Sequence, residues 1–147
     1  MSMQNSALSS WQLWAVFSAA FAALTAIFAK LGVENISSDL ATFIRTIVVV
    51  CVLGVIVYAT KQFENPAAIS GRTYLFLLLS GLGTGASWLC YFRALQLGNA
   101  SQVAPIDKLS VVLVAIFGTI FLGESLTALN WLGVLLVAIG GILVALR

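Results

Sequence analysis

Seven side chains in this sequence are of types that hold a charged small molecule: Arg45, Ser87, Trp88, Tyr91, Arg93, Asp107 and Lys108. Asp107 and Lys108 are adjacent and open an apolar run just after Pro105, in "ASQVAPIDKLSVVLVAIFGTIF" (100–121). Three bases against one acid suit a solute that carries an anionic or zwitterionic group. They do not suit bond-making chemistry. The chain has no histidine, so the usual hydrolase triad and most zinc sites are excluded. "GLGTGASW" (81–88) lacks the lysine of a phosphate-cradling loop and lies in the middle of an apolar stretch. Cys51 and Cys90 also fall inside apolar stretches, where a cysteine packs as a small apolar residue. We therefore expect no enzyme activity, no metal and no cofactor. A net charge of +2 makes no basic patch for nucleic acid, so no nucleic-acid partner is expected.

The elements that must position these residues are set by composition. The 147 residues are 61% hydrophobic and only 8% charged, with a mean hydropathy of +1.09. A soluble domain carries roughly 25% charged residues. Twelve charges cannot hydrate a surface of this size, so the solvent is a bilayer. Lys, Arg, Asp and Glu are absent from Met1 to Lys30, Arg45 to Lys61, Arg72 to Arg93, Lys108 to Glu124 and Glu124 to Arg147, taken between those residues. A helix rises about 1.5 Å per residue and the hydrocarbon layer is about 30 Å thick, so roughly 20 residues cross it. The fold class is an all-α integral membrane bundle of five helices, at about 11–31, 39–59, 73–97, 102–122 and 127–146. They form one domain over 1–147, lodged in the cell membrane. The first apolar run lacks a basic start and is too long for a secretion signal. Helix-capping residues precede the spans: Ser9 or Ser10, Ser37 or Ser38, Ser70 and Thr127.

Five crossings put the two ends of the chain on opposite faces. Face A holds the 60–72 loop and the 123–126 turn. Face B holds the 32–38 and 98–101 turns and Arg147. Arg45, Arg93 and Lys108 lie near face B but inside helices. Two readings stand for them: long side chains snorkelling to the surface, or a ring around a water-filled cavity with Asp107 as counter-charge. Trp88 and Tyr91, three apart, share a helix face, either as interfacial anchors or as the wall of a cavity. A fourth helix starting at Pro105 would keep Asp107 in its first turn, where an acid is favoured. A start nearer Ser101 would draw Asp107 and Lys108 into the membrane. Neighbours on a helix point about 100° apart, so Asp107 is expected to pair with Arg93 or Arg45 rather than with Lys108. Small residues form stripes: Ala19, Ala22, Ala23 and Ala26; Gly81 and Gly85; Gly133, Gly140, Gly141 and Ala145. Such stripes pack helices within a bundle, or, for the last helix, against a second subunit.

"TAIFAKLG" (25–32), "ATFIRTIVVV" (41–50), "SGLGTGASWLCYFRALQLGNASQVAPIDKLSVVL" (80–113) and "FLGESLT" (121–127) together resemble one EamA-type repeat of the drug/metabolite transporter superfamily. Many members carry two such repeats, ten helices in all, in inverted orientation. The resemblance implies that two copies of this chain assemble antiparallel as a homodimer. It further implies alternating access to a central site by rocking of the halves, as in other inverted-repeat carriers. Glu124 matches the family's Gly-Glu element and is expected to cap the 127 helix. Loop charges are balanced, Lys61 and Arg72 against Lys30 and Arg147, which permits insertion both ways; counting Arg45, Arg93 and Lys108 tips the bias to face B inside. The expected function is secondary transport of a small organic solute, a metabolite or amino-acid-like molecule, in a multi-pass membrane protein (of the inner membrane in a bacterium). The alternatives are a non-catalytic subunit pairing with an oppositely inserted partner, and a cation exporter of the small multidrug-resistance type. The second lacks its hallmark, because no acid occurs in the first helix.

Overall fold

The computed structural model describes residues 10–146. Helices run over α1 (Ser10–Gly32), α2 (Ser38–Ala59), α3 (Gly71–Leu97), α4 (Ala100–Asp107), α5 (Ser110–Phe121) and α6 (Ala128–Ala145), with a short 3₁₀ turn at Pro66–Ala68. Among the described residues there is no strand. Counting α4 and α5 as one span, Ala100–Phe121, five helices are long and apolar enough to cross a membrane. Three of the expected caps form. The hydroxyls of Ser37, Ser70 and Thr127 accept from the backbone N–H groups of Leu40 (3.3 Å), Thr73 (3.1 Å) and Asn130 (3.3 Å). Each satisfies a donor that the first helical turn leaves without a partner. Ser9 and Arg147 lie outside the described residues.

The fourth span starts at Ala100, so the start near Ser101 holds and Pro105 lies inside α4. Proline has no N–H to donate and disturbs the turn before it. Lys108 N–H still reaches back four residues to the Ala104 carbonyl (3.1 Å). Leu109 then bonds Ile106, Val111 bonds Lys108 and Val112 bonds Leu109, each three residues back at 3.0 Å. This tightening to 3₁₀ geometry separates α4 from α5. Asp107 and Lys108 sit at the joint, about 11 Å from the start of α4.

The turn after α5 corrects another expectation. Gly123 adopts φ +69°, the left-handed conformation in which glycine ends helices. The N–H groups of Leu122 and Glu124 both donate to the Gly118 carbonyl at 3.1 Å. Glu124 therefore closes the end of α5, while Thr127 caps α6. The Glu124 carboxylate lies over Gly118, where a β-carbon would come within 2.6 Å of Oε2.

The packed core is small and one-ended. Ala29 and Val33 of the α1 end, Ala41 of the α2 start, and Phe92 and Leu95 of the α3 end form a single cluster towards face B. Two side chains pin it. Lys30 Nζ donates to the carbonyls of Leu95 (2.7 Å) and Gly98 (3.0 Å). Gln96 Nε2 donates to those of Val33 (3.1 Å) and Ile36 (2.7 Å). Elsewhere the helices bury little: no span has more than 11% of its most apolar window buried within the chain. The glycines divide accordingly. Gly141 meets the Pro105 carbonyl oxygen so closely that a β-carbon would stand 3.1 Å from it. Gly81, Gly85, Gly133 and Gly140 meet nothing within 4 Å. Of the expected glycine contacts, only that of Gly141 with α4 is made inside one copy.

Candidate functional site

Arg45 leaves α2 about 10 Å below face B. Its guanidinium carbon sits 3.9 Å from the centroid of the Trp88 ring and 5.6 Å from that of Phe92. Trp88 is the deeper of those rings, one turn further from face B along α3. Arg45 therefore turns inward and does not snorkel. A cation–π contact contributes about 0.5–2 kcal/mol and offsets part of the cost of placing a charge within the membrane.

Ser87, Trp88 and Tyr91 come from one side of α3, where spacings of three and four coincide on a helix. Opposite them stands the α4–α5 joint. There Lys108 Nζ donates to Asp107 Oδ2 at 3.2 Å. The expected pairing of Asp107 with an arginine is overturned, because the long lysine stem bends back where the helix tightens. Ala22 and Thr25 of α1 complete a cavity of about 180 Å³ shared by Arg45, Ser87, Trp88, Tyr91, Asp107 and Lys108.

Arg93 stands apart from this group. It lies five residues beyond Trp88, about 140° further round α3. It is exposed, with Nη1 3.4 Å from Gln96 Oε1. Thr25 was not singled out from sequence, and Ala22 was marked only as part of a packing stripe. Their signal was the run Ser18, Ala22, Thr25, spaced four and three, which places small and hydroxyl groups on one face of α1. That face, from Ala15 to Ala26, lines a further cavity of about 370 Å³ with Tyr91, Ala104 and Lys108. The alanine stripe thus borders open space as well as helices. A larger apolar crevice of about 680 Å³ lies between α3, α4 and the end of α6, and Ser87, Tyr91 and Asp107 line it too.

A bundle of apolar spans with a stacked cation, an ion pair and hydroxyls lining one cavity defines a multi-pass membrane protein. Residues 9–146 match the EamA-like transporter family, and the chain belongs to it; it is a membrane transporter. It is 65% identical over 136 residues to a Sinorhizobium sp. protein named "Uncharacterized transporter in cobO 3'region", covering 92% of this chain and 96% of that one. It is 25% identical over 136 residues to an "Uncharacterized transporter" of Vibrio cholerae, covering 91% of this chain but 42% of the relative. No solved structure matches the chain.

Proposed function

We infer that this chain is a secondary carrier for a small organic solute with an anionic or zwitterionic group, metabolite or amino-acid-like, and that it works as an antiparallel homodimer by alternating access. The observation that carries the reading is the single cavity holding Arg45, Lys108 and Asp107 beside Ser87, Trp88 and Tyr91. Arg45 and Lys108 receive the anionic group. Asp107, released from Lys108, receives a cationic group where the solute has one. Trp88 and Tyr91 flank the solute's body, and Ser87 and Thr25 supply hydroxyls. The bilayer is the protein's other partner.

Three observations support the inverted pair. The spans bury little of themselves within one copy. The Vibrio relative is long enough to hold a second stretch of the same size. The bases in the loops proper are divided evenly between the faces, a count that permits insertion both ways. Such a pair matches the construction of carriers with inverted repeats around a site near mid-membrane.

The test is flux into vesicles reconstituted with the purified chain, using small organic anions, zwitterions and lipophilic cations in parallel. Anions or zwitterions should enter faster than in protein-free vesicles, with no acceleration of the cations. Acceleration of the cations alone would contradict this reading and favour the cation exporter.

A further inference from the structure

Arg45 lines two cavities at once. One is the inner cavity with Trp88 and Lys108. The other is a crevice of about 350 Å³ between α1 and α2, where Phe28, Gly32, Ile36 and Ile44 join Phe92. Thr25 and Arg45 belong to both. The crevice reaches Gly32 and Ile36, the residues at the face-B turn. The inner cavity continues the other way. It shares Ala22, Tyr91 and Lys108 with the space along α1 that extends to Ala15, towards face A. Beside α1 there is thus a chain of spaces from the face-B turn to Ala15, and Arg45 lines the two spaces at its face-B end. Phe92 is on the crevice side of that group at 5.6 Å, and Trp88 is on the inner side at 3.9 Å.

We propose that the α1–α2 crevice is the face-B mouth of the transport path, and that Arg45 stacked on Trp88 is the latch that closes it from the inner cavity. Two physical facts favour a mouth over a lipid-filled groove. An arginine this deep needs water or an anion beside it, and the crevice is the space that reaches it from face B. A guanidinium is also a flat cation that can leave one aromatic face for another or for an anion, because none of these contacts is covalent. An anionic group entering past Gly32 meets Arg45 first and draws it off Trp88. The same arginine therefore recognises the solute and opens its way.

The proposal rests on the carrier reading, and its test separates the two. In a Cys51→Ser, Cys90→Ser background, one reporter thiol is placed at the crevice (Gly32→Cys) and another on α1 in the inner cavity (Ala22→Cys). The probe is 2-sulfonatoethyl methanethiosulfonate, an anion that does not cross membranes, given as a brief pulse outside reconstituted vesicles. Gly32→Cys reacts in molecules that present face B outward. With Trp88 intact, Ala22→Cys reacts only in the remainder, so the two labelled fractions sum to one. Trp88→Ala raises Ala22→Cys labelling to the whole population, and Trp88→Phe, which keeps an aromatic face, leaves it at the parental fraction. Unchanged Gly32→Cys labelling establishes that each variant is folded and inserted. The latch is refuted if Ala22→Cys reacts in every molecule with Trp88 intact, or if Trp88→Ala changes nothing. Ala22→Cys unreactive from both sides, with Gly32→Cys reactive, overturns the carrier reading and the latch with it.

Discussion

Arg45→Ala and Lys108→Ala should each lower solute uptake into reconstituted vesicles to a tenth or less of the wild-type rate at sub-saturating solute, while insertion and yield stay the same. A hydrogen bond to a charged group contributes about 1.5–3 kcal/mol, and each 1.4 kcal/mol is about tenfold in affinity. The loss therefore lies between about tenfold and a hundredfold. Both bases line the one cavity that also holds Ser87, Trp88 and Tyr91. Arg45→Lys keeps the charge but loses the planar guanidinium stacked on Trp88, so its uptake should fall between those of Arg45→Ala and the wild type. Arg93→Ala is the internal control. Its guanidinium reaches Gln96 on the exposed side of α3, so uptake should stay within about twofold of wild type, the scale of an exposed pair. Wild-type uptake in Arg45→Ala and Lys108→Ala together would remove the cavity from the transport path.

Lys30→Met should produce the largest loss of stability, read as a lowered thermal midpoint and a smaller monodisperse fraction in detergent. Lys30 Nζ crosses from α1 to the carbonyls of Leu95 and Gly98, at the end of α3. Those carbonyls have no following helical turn to bond, and a cation at a helix end also meets the negative end of its dipole. Methionine keeps the aliphatic stem and removes the charge. Each acceptor left without a partner costs about 1–3 kcal/mol. The affected joint is the sole buried cluster among the described residues, where Val33 and Leu95 are 1% and 0% exposed. Lys61→Met, at the exposed face-A end of α2, should leave the midpoint unchanged. Equal midpoints for both variants would mean that the clamp carries no stability.

The fold was legible because lipid imposes a simple rule: every span must be long, apolar and helical. The uncharged intervals fixed five crossings, and Ser37, Ser70 and Thr127 marked three helix starts. The site was legible in part. Arg45, Ser87, Trp88, Tyr91, Asp107 and Lys108 do gather, because charge within a membrane span has few places to go. Arg93 looked equivalent to Arg45 in depth; its offset of about 140° from Trp88 follows from spacing, but which side of α3 meets the other helices does not. The Asp107–Lys108 pair was hidden because the 100° rule assumes a regular helix, and Pro105 ends that regularity at the joint. Lys30 and Gln96 gave no signal, since their partners are backbone carbonyls, which every residue carries. The alanines of α1 look alike whether they face a helix or a void.

Whether one copy is half of a carrier is tested most directly by locating both ends of the chain in native membranes, with an impermeant reagent and a reporter at each terminus, and cross-linking in the same sample. The account predicts comparable populations with opposite orientations, cross-linked to one another, and no uptake by single copies isolated in nanodiscs and then fused to vesicles. A single orientation throughout, together with full uptake by the isolated copy, would contradict it.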